Sequence, residues 1–146
     1  MVRKKILLII IGIILLYGGY FSWKVYQDST RGIIPLESLQ VKVIKTDKDY
    51  SISAKADLDN FERISNYQAI QIGNDVYLYF MKTKAFIKNS TVDIYLSNIL
   101  VGDTTQAINN IYLVSGDDIV VRSNDSKYDH IDVLKYTDRE LLLRLN

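Results

Sequence analysis

Residues 67–81 have the sequence YQAIQIGNDVYLYFM, and the fold prediction starts from this stretch. Side chains of the same kind recur every second residue on both sides of Gly73-Asn74, and this period of two is typical of β-strands rather than helices. A glycine beside an asparagine suits a two-residue hairpin turn, because glycine adopts positive φ without steric cost. The stretch therefore predicts two strands, Tyr67–Ile72 and Asp75–Met81, joined by a tight turn.

The period of two continues on both sides of this hairpin. Leu39–Val43 and Tyr50–Lys55 flank Asp47-Lys48-Asp49, whose composition is that of a turn, so they predict a second hairpin. Further strands are predicted at Thr91–Leu96, Asn110–Val114, Ile119–Arg122, Ile131–Tyr136 and Glu140–Leu145, and short helices at Leu58–Ser65 and Thr104–Asn109. Short strands with frequent turns predict an all-β domain. We expect an antiparallel, immunoglobulin-like β-sandwich, with a small β-barrel as the alternative.

An apolar run lies on the N-terminal side of this domain. The stretch from Ile6 to Trp23 contains no charged residue, and as a helix its length is about 27 Å, close to the thickness of the hydrocarbon layer. Arg3, Lys4 and Lys5 precede the run, so the positive-inside rule predicts a cytoplasmic N-terminus. A cleaved signal peptide is the competing interpretation, but the run ends without a clear small-residue cleavage pattern.

This pattern divides the chain into four parts. Residues 1–5 are predicted to be a cytoplasmic stub, 6–23 a single transmembrane anchor, and 24–38 a juxtamembrane connector that holds the only proline. Residues 39–146 are predicted to be an extracytoplasmic β domain, long enough to bury one hydrophobic core. The expected location is therefore the cell membrane, with the C-terminal domain outside the cell.

Charge and composition exclude several classes of function. Residues 1–37 carry a net charge of +3 and the remaining residues −2, so the domain lacks the basic surface that nucleic-acid binding needs. The chain has no cysteine, which excludes disulfides and thiolate chemistry. Glycine-rich phosphate-binding loops and hydrolase signatures are absent from the sequence. We therefore expect no enzymatic activity and no cofactor.

One polar stretch contains residue types that can bind a metal. The only histidine, His130, lies near Asp125, Asp129 and Asp132, and such carboxylates are ligands that calcium accepts. The stretch lacks the spacing of a calcium-binding loop, and acidic runs between strands are usually solvated turns. A bound metal is therefore not expected.

Tyrosines provide the one candidate binding surface. The chain has 11 of them, and Tyr77, Tyr79, Tyr95 and Tyr112 fall on predicted strands, on the side opposite the aliphatic residues. If the strands share one sheet, these rings form an exposed aromatic patch of the kind found at protein interfaces. The competing interpretation is that the strands are buried on both faces, in which case the rings belong to the core.

A membrane anchor, a small β domain and the absence of catalytic motifs together favour a recognition function. We expect the domain to bind another protein, as part of an envelope complex or as an immunity-type protein. One alternative is a structural subunit of a membrane machine that uses its transmembrane helix. The other is a small-ligand carrier, if the strands close into a barrel.

Overall fold

The computed structural model describes residues 2–116, 133–136 and 138–145. A long helix, α1 (Val2–Ser29), precedes a β-rich domain, and a second, very short helix is α2 (Leu96–Ile99). The strands are β1 (Gly32–Ile33), β2 (Leu39–Lys45), β3 (Tyr50–Ala56), β4 (Glu62–Ile72), β5 (Asp75–Lys84), β6 (Thr91–Tyr95), β7 (Leu100–Gly102), β8 (Asn110–Ser115) and β9 (Asp138–Arg144). Two 3₁₀ turns span Leu36–Ser38 and Val133–Lys135.

The strands form two sheets. The larger sheet has the order β7-β4-β5-β8-β9, with β1 paired to the end of β5, and the smaller sheet has the order β2-β3-β6. Their facing sides share one core, to which the small sheet contributes Ile52 and Ala54 and the large sheet contributes Leu78, Phe80 and Leu113. Two sheets that bury apolar side chains between them make a β-sandwich. The prediction of a β domain behind an apolar helix is confirmed.

Both predicted hairpins are present. β2 and β3 pair antiparallel around the turn at residues 46–49, and β4 and β5 pair antiparallel from Ile72↔Asp75 outward. Gly73 has a φ of 61°, the positive value that its place in a two-residue turn demands. Both strands of this second hairpin extend beyond their predicted limits, because β4 begins at Glu62 and β5 continues to Lys84.

The predicted pairing is wrong in two places. β4 pairs with β7, and β5 pairs with β8, in parallel rather than antiparallel fashion. These pairs join segments far apart in the chain, and a period of two does not encode which strands become neighbours. The immunoglobulin-like version of the sandwich is not confirmed, and neither sheet closes into the alternative barrel over the ranges described.

Several predicted elements need correction. The helix expected at Leu58–Ser65 is absent, because the chain there has entered β4 by Glu62, and residues 104–109 form turns rather than a helix. Val133–Lys135 is a 3₁₀ turn instead of part of a strand, and Leu96 begins α2. The predicted final strand is present as β9, which pairs with β8. The predicted strand Ile119–Arg122 and the residues around His130 lie outside the described residues.

The central strand, β5, is buried on both faces. Its side chains Val76, Leu78 and Phe80 point into the core between the two sheets. On the opposite face, Tyr77, Tyr79 and Met81 form a second cluster with Val114, Val133 and Tyr136. The segment 133–136 therefore covers the side of the large sheet that faces away from the small sheet.

The segment that leaves α1 runs alongside β5. Gln27 contacts Lys84, Gly32 pairs with Lys82 and Ile33 pairs with Met81, and the Ile34 N–H donates to the Phe80 carbonyl. From Gln27 to Ile34 the contacted residue on β5 changes from Lys84 to Phe80, so this segment runs antiparallel to β5. The C-terminal end of β5 therefore lies at the helix-proximal end of the domain. The turn at Gly73-Asn74 lies at the distal end, roughly 30 Å away along the strand.

Candidate functional site

The junction between α1 and the β domain is tied by specific hydrogen bonds. Gln27 Nε2 donates to the Lys84 carbonyl at 3.0 Å, and the Thr83 hydroxyl donates to the Gln27 carbonyl. The hydroxyls of Thr30 and Thr83 are 3.3 Å apart, and the Lys84 N–H donates to Thr30 Oγ1. The stretch predicted to be a connector therefore contains the last turns of α1 and packs on the domain. These contacts fix the direction of the helix relative to the sheets.

Aromatic side chains extend this junction. Trp23, at the end of the apolar run, stacks on Phe86 with 4.2 Å between ring centroids. Phe86 and its neighbour Ile87 nevertheless remain 75% and 81% exposed. Phe61, whose carbonyl accepts from the Ala85 N–H, is also exposed at this end. The helix-proximal end of the domain thus presents large apolar side chains beside the apolar helix, a position where lipid would cover them.

A cavity of about 420 Å³ opens at the same junction, and we refer to it as the junction cavity. Tyr20, Trp23 and Phe86 line its apolar side, and the cations Lys24, Arg31 and Arg63 also line it. Over residues 2–116, 133–136 and 138–145, no carboxylate belongs to its lining. The sequence prediction missed this site, although the two adjacent large apolar residues at 86–87 in an otherwise polar loop depart from the period of two.

Arg31 is the unusual member of the junction cavity. Its side chain is only 10% exposed, and one guanidinium nitrogen, Nη2, pairs with Asp28 at 2.9 Å. The other two, Nε and Nη1, are buried and have no hydrogen-bond acceptor among the residues that the structure describes. Buried donors without acceptors are rare in proteins because leaving them unpaired costs free energy.

Two of the four predicted binding tyrosines are buried. Tyr77 is 5% exposed and Tyr79 is 3% exposed, beneath the segment 133–136, so the exposed patch predicted at these positions is absent. Tyr112 is half-buried and stacks on Tyr77, with ring centroids 5.6 Å apart. Burial, with a smaller contribution from the neighbouring Tyr136, raises the pKa of Tyr79 well above the usual tyrosine value. The interpretation of a strand buried on both faces is the one that the structure supports.

Tyr95 lies apart from the other three, on the small sheet, and is 53% exposed. Register aligns it with Ser51 on β3 and Ile44 on β2, and Ile44 is 50% exposed. The same side of the sheet carries two further cross-strand rows, Lys42-Ser53-Asp93 and Gln40-Lys55-Thr91. We call this nine-residue surface the outer face.

A shallow depression of about 500 Å³, which we call the polar trough, lies over the two polar rows of the outer face and extends to Glu140 on β9. Ser53, a short side chain on the central strand, lies between Lys42 and Asp93 on the flanking strands and donates to Asp93 Oδ1 at 2.6 Å. Tyr95 and Ile44 stand at one end of this depression, on either side of the half-buried Ser51. The outer face therefore combines a polar trough of both charge signs with two exposed apolar side chains.

The predicted anchor and topology residues all lie on α1. Ile6 and Trp23 bound its apolar stretch, and Arg3, Lys4 and Lys5 occupy its first turns, all exposed. Among the described residues, α1 is the helix long and apolar enough to cross a membrane, and none of its most apolar window is buried by the rest of the protein. A Cβ built at Gly12, Gly18 or Gly19 would meet no other atom within 4 Å.

A buried ion-pair cluster links the start of β4 to the end of β5. Glu62 is buried and pairs with Lys82 at 3.1 Å and Lys84 at 3.2 Å. Burial alone would raise the pKa of Glu62, but these lysines and the Asp59 N–H together hold it below its usual value. Within residues 2–116, 133–136 and 138–145, no group of three or more His, Cys, Asp or Glu side chains is placed to hold a metal.

Comparison with known proteins adds no relative, since no protein-family model, curated protein or solved structure matches this chain.

Proposed function

We propose that this protein is a single-pass membrane protein that holds a β-sandwich outside the cell and binds another protein through the outer face. The observation that carries the proposal is the exposure of Tyr95 and Ile44 beside the polar trough. Tyrosine is enriched at the energetically important positions of interfaces because it contributes a large contact area at low entropic cost. Ser51, between them, leaves space for a partner's side chain.

The junction supports this function by orienting the domain. Because hydrogen bonds at Gln27, Thr30 and Thr83 tie α1 to β5, the sandwich is not carried on a loose linker. β6 begins at Thr91 and ends at Tyr95. Two residues before Thr91, the Asn89 carbonyl accepts from the Ile64 N–H near the start of β4, so β6 begins near the helix-proximal end and Tyr95 lies at its other end. The apolar pair of the outer face thus lies toward the distal end, where a partner would reach it without contacting lipid.

The N-terminal cations support the proposed orientation across the membrane. Arg3, Lys4 and Lys5 precede the apolar stretch, and a cluster of positive charge is retained on the cytoplasmic side. The β domain would then lie outside the cell, where it can contact envelope proteins and secreted proteins.

Site-specific photo-cross-linking in intact cells tests the proposed interface. A photoreactive phenylalanine analogue is placed at Tyr95, at Ile44 and, as a control, at Arg144, which is exposed on the large sheet. We expect one discrete protein adduct from positions 95 and 44 and none from 144. Tyr95→Ser in the Ile44-labelled protein should reduce that adduct about tenfold, the effect of losing a central interface tyrosine. The same adducts from all three positions, or none from 95 and 44, would refute the proposed interface.

A further inference from the structure

We infer that the junction cavity binds the phosphate group of an anionic phospholipid, with Arg31 as its central ligand. This inference rests on the proposed membrane anchoring but not on the proposed protein partner. It concerns the opposite end of the domain from the apolar pair of the outer face.

The first argument is the unsatisfied guanidinium. Arg31 is nine-tenths buried, Asp28 accepts from one of its nitrogens, and Nε and Nη1 find no acceptor in the described part of the chain. A phosphate offers several strong acceptor oxygens, and an arginine N–H forms a charge-assisted hydrogen bond to such an oxygen. A phosphate entering the cavity beside Arg31 would accept from one of the unpaired nitrogens after a small rotation of the side chain, and this would reduce the cost of leaving them unpaired.

The second argument is the charge of the lining. Lys24 and Arg63 add two positive charges to that of the Asp28-paired Arg31, and the Asn66 side chain adds an uncharged donor, whereas Gln27 and Ser65 already donate to the Lys84 and Met81 carbonyls. Among the described residues no carboxylate lines the cavity, and with Asp28 paired to Arg31 the charges of Lys24 and Arg63 remain for an outside anion. Lys24 also lies 5.8 Å from the centre of the Tyr20 ring, which keeps its ammonium on the cavity side of the helix.

The third argument is depth. The guanidinium of Arg31 contacts Asp28, five residues beyond Trp23, so it lies about 7–8 Å beyond the end of the apolar run. The headgroup layer extends roughly 5–8 Å beyond the hydrocarbon on each side of a bilayer, and tryptophan prefers the boundary between them. Arg31 therefore lies at the level of the lipid phosphates.

The fourth argument is the amphipathic layout. Tyr20, Trp23 and the stacked Phe86 line the cavity on the side of the apolar helix, and Ile87 adds an exposed aliphatic chain. A ligand with an anionic head and an acyl tail satisfies both halves at once. A free phosphate would satisfy only the cationic half, which is why a phospholipid is the proposed occupant.

Trp23 is the only tryptophan in the chain and lines the cavity, so its fluorescence reports binding directly. The full chain in uncharged maltoside micelles is titrated with short-chain phosphatidylglycerol, with the corresponding diacylglycerol and with inorganic phosphate. We expect a saturable change in emission with phosphatidylglycerol, no such change with diacylglycerol, and only weak binding of inorganic phosphate. An equal response to diacylglycerol, or inorganic phosphate binding as tightly as the lipid, would overturn the assignment.

Variants locate the site. Arg31→Gln should weaken phosphatidylglycerol binding about tenfold or more, and Arg63→Gln about threefold, whereas Arg144→Gln at the distal end of β9 should leave it unchanged. Because Arg31 is buried, its variant is first checked for a native thermal transition. If it does not fold, Arg63→Gln combined with Lys24→Gln provides the same test from exposed positions. Unchanged affinity in the folded variants would overturn the inference, and this result is independent of whether a protein partner is found.

Discussion

Replacing Tyr79 by serine tests whether β5 is a core strand with two buried faces. The ring is 3% exposed and packs in the second cluster with Met81, Val114 and Tyr136. Truncating a buried aromatic side chain costs about 3–5 kcal/mol, since the lost burial is compounded by the cavity left behind. Tyr79 also donates a hydrogen bond to Gln68 Oε1 at 3.1 Å, so Tyr79→Phe should cost about 1 kcal/mol on its own.

Thermal unfolding of the full chain in micelles, followed by circular dichroism, measures these differences. For a domain of this size each kcal/mol lowers the Tm by roughly 4–6 °C, so Tyr79→Ser should lower it by about 12–30 °C. Tyr95→Ser is the matched control, because it makes the same change at a half-exposed position and should stay within about 0.5 kcal/mol of the parent. If Tyr79→Ser were as mild as Tyr95→Ser, the assignment of the second cluster to the core would be wrong.

Three further predictions concern other parts of the chain. Gly102→Ala should destabilise the domain by about 2–3 kcal/mol, because Gly102 has a φ of 98° and a Cβ there would collide with the Gln71 carbonyl oxygen. Gly32→Ala, with open space around it, is the control and should change the Tm little. Glu62→Gln should cost about 1–2 kcal/mol at pH 7. The pKa of Glu62 is lowered in the folded protein, so its contribution to stability is full above the usual value near 4.5 and is lost as the pH falls through the lower folded-state pKa; chemical unfolding at pH 7 and at a series of decreasing pH values would show or disprove this loss. Replacing residues 6–23 by an unrelated apolar helix of equal length should preserve the cross-link from Tyr95, and its loss would favour the alternative of a structural subunit that works through its transmembrane helix.

Local features of the fold were accessible from the sequence because short-range chemistry determines them. The Gly73-Asn74 turn and the alternation on either side of it gave the central hairpin, since positive φ and the period of two are properties of neighbouring residues. The apolar run likewise gave α1. The sequence also indicated that β5 carries apolar or aromatic side chains on both faces, but not whether the tyrosine face would be covered.

Elements fixed by distant contacts were predicted wrongly. Residues 58–65 resemble a short helix, but the side chain of Glu62 is held by Lys82 and Lys84 on β5, which favours a strand at its position. In residues 104–109, the Asp103 carboxylate accepts from the backbone and hydroxyl of Thr105, and this local turn competes with a helix. The parallel pairings of β7 and β8 join strands about thirty residues or more from their partners in the chain.

The candidate sites depend even more strongly on tertiary structure. The sequence places Asp28 within reach of Arg31, but it does not show that Nε and Nη1 of Arg31 become buried without an acceptor among the described residues, which depends on how α1 packs against the domain. The predicted aromatic patch joins Tyr95 to three other tyrosines only if all of their strands belong to one sheet. The structure separates it from them, because β6 pairs with β3 in the small sheet.

Both proposals depend on one claim, that α1 remains in the membrane and leaves the β domain outside the cell. The chain has no cysteine, so a single introduced cysteine is a unique label site, and Lys48→Cys in the exposed turn after β2 is compared with Lys4→Cys before the apolar run. We predict that a membrane-impermeant maleimide labels full-length, membrane-bound Lys48→Cys protein in intact cells and labels Lys4→Cys only after permeabilisation. The reverse pattern, or a shortened protein released from the membrane, would contradict the account.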